Sequence, residues 1–212
     1  MGKRVYGQYC GFARGLELVG ERWALMIVRD LLVSPKRFSD LQRGLPGIPS
    51  NILTSRLKEM EAAGIVQRRL LPRPNGVVYE LTATGEALEP AVAELGRWGA
   101  KLLGQPRSHE IITVDSLVTA LRTTFQHEAA KGVTVSYELR MGDIVLHARI
   151  VRGRLSAQPG PLQNADLTIE TGPALRDLLA GELSPREALA KGLVKLRGPS
   201  GLLDRFVELF RI

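Results

Sequence analysis

The chain has 212 residues, enough for two modest cores, and its 44% hydrophobic and 24% charged residues match an ordinary globular protein rather than a disordered or fibrous one. No stretch approaches the roughly 18 uncharged apolar residues of a membrane span, and the basic start Met1-Gly2-Lys3-Arg4 lacks an apolar signal region, so a cytoplasmic protein that avoids membranes is expected. The single cysteine, Cys10, excludes an intrachain disulfide and a multi-cysteine zinc site, while the net charge of +7 favours a polyanionic partner and is uneven: fifteen Lys and Arg against ten Asp and Glu in residues 1–104, fourteen against twelve in 105–212.

Phe12, Leu16 and Val19, then Trp23, Met26 and Ile27, recur at helical spacing and predict two helices with buried faces, the second ended by Ser34-Pro35. A short helix is expected from about Phe38. Leu45-Pro46-Gly47-Ile48-Pro49 stops it, because proline removes an amide donor and glycine favours turns. The next helix runs from Ser50 to about Ala63, with Gly64 as the residue that ends it. Spacing residues 100° apart puts Leu53, Leu57 and Met60 on one side and Asn51, Thr54, Ser55 and Lys58 on the other. A short, polar outward face with one cation suits a helix lying in a major groove. Glu59 and Glu61 flank that face, and Arg56 turns partly inward, where it would brace the fold.

Ile65–Leu71 and Val77–Leu81 predict paired strands joined through Pro72-Arg73-Pro74-Asn75-Gly76, in which Asn-Gly is a strong hairpin signal. Helix, tight turn, helix and basic hairpin make a winged helix-turn-helix, with recognition helix 50–63 and wing 65–81. Asn51, Thr54 and Ser55 are the candidates for base edges or phosphates. Lys58, Ser50 and Arg37 are candidates mainly for phosphate, and Arg68, Arg69 and Arg73 are the wing cations. Thr82 reads as an N-cap, and Leu88, Val92, Leu95 and Trp98 carry a helical stripe to about Leu103. Trp23 and Trp98 lie on such stripes, as packing or dimer residues. Gly104-Gln105-Pro106-Arg107-Ser108 then separates domains 1–104 and 109–212.

Several of these segments resemble the HxlR family of winged-helix regulators, relatives of the MarR group, over roughly Tyr9 to Gly104. The resemblance is carried by Cys10, Leu18-Val19-Gly20-Glu21-Arg22-Trp23-Ala24-Leu25-Met26-Ile27-Val28-Arg29-Asp30-Leu31, Arg37-Phe38, Leu45-Pro46-Gly47-Ile48, Arg56-Leu57 and Tyr79-Glu80-Leu81-Thr82-Ala83-Thr84-Gly85. It implies a transcriptional regulator that binds double-stranded DNA as a homodimer. Terminal helices would pack across the two-fold axis, and the half-sites of a pseudo-palindromic operator would lie about 34 Å apart. Some members of the family sense electrophiles or oxidants through an N-terminal cysteine. Cys10 stands at that place as a possible redox sensor, with Gly11 where a proline usually follows. A reactive thiol needs a lowered pKa, and Arg14, one helical turn on, is the nearby cation in sequence.

In the second half, Val133–Leu139 and Ile144–Ile150 predict a hairpin around Met141-Gly142-Asp143. Ala165–Glu170 precedes a helix bearing Leu175, Leu178 and Leu179. Gly181–Leu189 leads to Val194–Gly198 and a last helix with Leu202, Leu203, Phe206, Val207 and Phe210. This order resembles a sterol carrier protein type-two-like domain over about Val114 to Ile212. Such domains commonly enclose an apolar cavity between sheet and helices, which would admit a small apolar effector, although the same residues read more simply as plain core. The expected fold class is therefore α+β, an N-terminal winged helix-turn-helix domain followed by a C-terminal α+β sterol-carrier-like domain.

The sequence holds no His-Glu-x-x-His, no Gly-x-Ser-x-Gly, no phosphate-binding glycine loop and no cysteine pair, and His109, His127 and His147 lack metal-ligand spacing. No enzyme activity, cofactor or metal is expected. The alternative to a DNA-binding regulator is a lipid-binding or carrier protein that uses its winged helix to dimerise.

Overall fold

The computed structural model describes residues 5–72, 76–104 and 106–212. The chain divides into two compact units, Met1–Val92 and Ala93–Ile212. The division falls upstream of the Gly104–Ser108 segment at which composition suggests a boundary.

The first unit runs α1 (Gly11–Val19), α2 (Ala24–Val33), α3 (Phe38–Gly44), α4 (Ser50–Ala62), β1 (Val66–Leu71), β2 (Gly76–Leu81) and α5 (Ala83–Glu86), and it ends in the first turn of α6 (Glu89–Ala100). Ala24, Ile27, Val28 and Leu31 of α2 recur at i, i+3, i+4 and i+7 and are all buried, joined in one core by Leu41, Leu45, Leu53, Leu57 and Met60. Gly64, at φ +69°, ends α4 in a Schellman arrangement: its N–H donates to Glu61 O at 3.0 Å and the Ile65 N–H to Met60 O at 2.9 Å. Ile65 and Met60 are both buried, the apolar contact that accompanies this cap. The loop after α2 adds one rung to the hairpin, for Lys36 and Tyr79 exchange backbone hydrogen bonds of 2.9 and 2.7 Å.

Two expectations for this unit are corrected. Phe12 is 76% exposed and Met26 is also exposed, while Ala13, Val19, Ala24 and Ile27 supply the buried positions. Periodicity marks an apolar stripe without saying what covers it. The single helix expected from Thr82 to Leu103 is two, α5 and α6. Pro90 lacks an amide donor and would collide with the preceding turn in a helix interior, but it is tolerated in the first turn of α6. Thr82 does cap α5, its hydroxyl accepting from the Gly85 N–H at 3.2 Å.

The second unit contains α7 (Val114–Thr124), β3 (Val135–Met141), β4 (Ile144–Val151), β5 (Arg154–Pro159), β6 (Leu167–Thr171), α8 (Ala174–Leu179), α9 (Pro185–Ala190), β7 (Val194–Arg197) and α10 (Gly201–Leu209). Its strands form one sheet in the order β5-β4-β3-β6-β7, with β3 and β6 parallel and the other pairs antiparallel. β5 was not among the expected elements. Its Ser, Ala, Gln and Pro have weak strand preference, and it is set instead by the tight turn that returns it onto β4. The apolar face of the sheet is closed by aromatic packing: Tyr137 and Phe206 have centroids 5.1 Å apart, and Phe206 and Phe210 4.8 Å.

On the other face Glu138 is a buried carboxylate. Burial alone would raise its pKa, but the Leu162 N–H and the Arg140 guanidinium, each at 2.7 Å, outweigh that and hold it below the ordinary carboxylate value. A groove of about 510 Å³ opens at the edge of this unit between Ala129, Leu183, Pro185 and Val207, with Glu208 and Arg211 beside it. Among the described residues no helix is long and apolar enough to cross a membrane, and no group of three or more His, Cys, Asp or Glu could hold a metal ion.

Candidate nucleic-acid interface

α4 is seated by Leu53, Leu57 and Met60, all at most 1% exposed, and this fixes which side it presents outward. Ser50, Asn51, Thr54 and Lys58 are exposed and Ser55 half-buried, so the predicted residues share one face. Their chemistry differs. Asn51 and Lys58 make no side-chain hydrogen bond or ion pair with a described residue. The Thr54 hydroxyl donates to Ser50 O at 2.8 Å, and the Ser55 hydroxyl donates to Glu59 at 2.9 Å. Glu59 also receives Arg56, whose guanidinium reaches Glu21 at 3.2 Å as well. Arg56 is thus a brace between α4 and the α1–α2 loop, as its inward position suggested. Ser50 and Asn51 lie in the first turn of α4, where free amides and the helix dipole add positive potential.

The remaining predicted cations are engaged to different degrees. Arg37 is half-buried and lies against the wing, where a Cβ on Gly76 would meet its Nη1 at 3.0 Å. Its backbone N–H donates to Asp40 at 3.2 Å, at the start of α3. Arg68 pairs with Glu61 at 2.6 Å, and Arg69 with Glu80 at 2.7 Å. Glu80 faces Gln67 across the hairpin and sits diagonal to Arg69, so the register creates the pair. The Arg69 hydrogen bond holds the Glu80 carboxyl below its ordinary pKa. Arg73 lies outside the described residues, as does Asn75 of the expected turn.

Leu70, 79% exposed, and Val77, its cross-strand partner, form an apolar patch on the hairpin that charge-based reading passed over. The available signal was two apolar residues, Leu70 and Val77, flanking the expected turn.

Cys10 is exposed and precedes the first turn of α1. The backbone amides of Ala13 and Phe12 draw its thiol below the ordinary value. Arg14, expected to do this, is bonded instead to Glu17 at 2.9 Å, so helix-terminal amides are the cause. On α6, Leu95 and Trp98 are exposed, Trp98 by 64%. Trp23 is half-buried and has Arg22 over its ring at 4.9 Å.

The sequence model of the family described as HxlR-like helix-turn-helix matches residues 18–107. The HTH-type transcriptional regulator YvaP of Bacillus subtilis (strain 168) is 35% identical over 91 residues, which cover 42% of this chain and 84% of that protein. The HTH-type transcriptional regulator YodB of the same organism is 40% identical over 82 residues, covering 38% of this chain and 73% of that protein. Among solved structures, the redox regulator HypR in its oxidized form has 34% identity and a TM-score of 0.41, over 43% of this chain and 96% of that chain. With its helices, turn and hairpin in this order, and relatives at 35% and 40% identity of which it covers 84% and 73%, the chain belongs to the HxlR-like helix-turn-helix family, DNA-binding transcriptional regulators rather than enzymes.

Proposed function

We propose that the first unit reads a duplex operator as a homodimer, with α4 lying in the major groove. The division of α4 carries this reading: an apolar side fully seated on the core, and an opposite side of short polar residues with Lys58, which pairs with no described residue. Asn51, Thr54 and Ser55 offer donors and acceptors to base edges, while Lys58, Ser50 and Arg37 meet phosphate. Arg68, Arg69 and Arg73 of the wing add backbone contacts, the first two by exchanging Glu61 and Glu80 for phosphate. A second copy covers Phe12, an exposed apolar residue of α1.

The reading is tested by titrating the protein against its own upstream DNA at rising salt. Neutralising about six phosphates makes affinity fall on the order of a thousandfold between 50 and 200 mM salt. Lys58→Ala should weaken binding and, per protomer, make the log–log salt slope shallower by about one. No binding, or binding indifferent to both salt and Lys58→Ala, overturns it.

The groove of the second unit supports a further element, a small apolar effector. Its volume of about 510 Å³ is that of a small-molecule site, and Leu183, Pro185 and Val207 give it apolar walls. A sterol-carrier-like protein, with the winged helix serving only dimerisation, rests on the same groove. Native mass spectrometry of gently purified protein should find a co-purified apolar molecule. An empty protein that binds no apolar ligand ends both versions. A loaded protein whose DNA affinity changes on stripping favours the effector.

Cys10 supplies a possible sensor, because its lowered pKa leaves more thiolate at neutral pH. Alkylation by iodoacetamide, in which the thiolate displaces iodide, should reach half its maximal rate at a lower pH in the folded protein than in urea. Equal midpoints remove the case for activation. A sensing role further requires that Cys10→Ser bind DNA and ignore the reagent.

A further inference from the structure

Strand register in the second unit sorts its side chains between a covered face and an open one. On β4, Leu146, Ala148 and Ile150 are buried toward the helices, whereas Arg149 lies on the opposite, exposed side. The pairing of β4 with β5 places Arg154 and Ser156 on the same open face. Two carboxylates of that face are already taken, Glu138 by Arg140 at 2.7 Å and Glu170 by Arg197 at 3.2 Å. Asp166, beside the Ser136 that faces Arg149, is held by the Ser136 amide and hydroxyl, both at 2.7 Å.

Arg149, Arg154 and the intervening Arg152 form no ion pair with a described residue. The turn that joins β4 to β5 is only Arg152-Gly153, at φ +50° and +80°, the two positive values that a type I′ loop requires. It is also anchored: the Gly153 N–H donates to Val133 O at 3.0 Å, and a Cβ on Gly153 would lie 2.8 Å from Ala130 O. Three unpaired guanidinium groups therefore sit on a short, fixed hairpin. The arginines of the first unit's wing contrast with them, since Arg68 and Arg69 are bound to Glu61 and Glu80.

We propose that the β4–β5 hairpin is a second contact with the DNA backbone, through which Arg149, Arg152 and Arg154 bind duplex phosphates. This rests on the DNA-binding reading above. Charge complementarity selects the occupant: unpaired guanidiniums match the regularly spaced phosphates of a duplex and engage them through paired N–H donors. Phosphate contacts carry no base information, so the hairpin adds affinity and leaves sequence preference unchanged.

The test uses the full chain with Arg149→Gln/Arg154→Gln, which keeps the turn. A separate Arg152→Asn places a residue suited to positive φ in the turn. Binding to operator DNA and to unrelated duplex is followed by fluorescence anisotropy between 50 and 200 mM salt. Per protomer, the double variant should make the log–log slope shallower by about two, and Arg152→Asn by about one, at roughly 0.9 per phosphate. The ratio of operator to unrelated affinity should stay constant. If the double variant misfolds by circular dichroism, Arg152→Asn alone decides. DNA binding with unchanged slopes overturns this inference, even if the hairpin captures an acidic protein instead. Failure of the unaltered chain to bind DNA overturns the reading beneath it.

Discussion

Leu57→Ala is expected to destabilise the first unit by about 2–5 kcal/mol and to abolish DNA binding, while the second unit keeps its own melting transition. Leu57 is 1% exposed in the middle of α4, with Leu53 one turn before it and Met60 just after it, equally buried. Truncation removes the apolar transfer of the lost carbons and leaves a cavity that α4 cannot close, because the Schellman cap at Gly64 and the Arg56–Glu21 pair hold its position. A domain of this size has only about 5–15 kcal/mol of net stability. The loss is therefore a large share of the whole, and a shift of roughly 10 °C or more in one of two calorimetric transitions should report it. A single transition that moves as one would show that the two units unfold together, contrary to this expectation.

Gly198→Ala should produce a comparable loss in the other unit. Gly198 has φ +127°, a region that L residues rarely occupy, and a Cβ there would stand 2.5 Å from Asp166 O and 3.3 Å from Leu167 Cα. Both neighbours are backbone at the start of β6, the strand against which β7 pairs, so neither can swing aside as a side chain would. Backbone strain and forced overpacking together cost about 2–5 kcal/mol. Heat-induced unfolding of the second unit should move down by roughly 10 °C or more, with the transition of the first unit unchanged. An alanine variant that melts with the native protein would mean that β7 can lift from Asp166 without consequence.

These paired expectations follow from elements of unequal legibility. The two faces of α4 could be read directly, because a 3.6-residue period is a local property and Leu53, Leu57 and Met60 fall on one side whatever surrounds them. The stop at Leu45–Pro49 and the helix end at Gly64 were equally local, set by missing amides and by permitted φ. β5 was not legible. Its residues have little strand preference, and it exists because Arg152-Gly153 folds it back onto β4. Pro90 was visible in the sequence yet overridden by the apolar stripe around it, and the helix breaks just before it, between α5 and α6.

In the candidate interface the electrostatics expected of several residues were what the structure revised. Arg68 and Arg69 looked like free wing cations because their partners, Glu61 and Glu80, are seven and eleven positions away. Arg14 looked like the cation for Cys10, but Glu17 takes it. In each case the pairing depends on where two segments meet, which charge counts along a chain do not record.

The sequence by itself determined a helix-turn-helix with a hairpin behind it, the face of α4 turned away from the core, and a second α+β half, because periodicity, turn residues and caps act over a few residues. Only the tertiary structure decided which apolar residues stay uncovered, as Phe12 and Trp98 do, and which cations are spent internally. It withdrew Arg68 and Arg69 into ion pairs and left Arg149, Arg152 and Arg154 of the β4–β5 hairpin without an ion-pair partner among the described residues. The reason is that burial and ion pairing are set by strand register and by the approach of distant segments, and neither is written in local spacing.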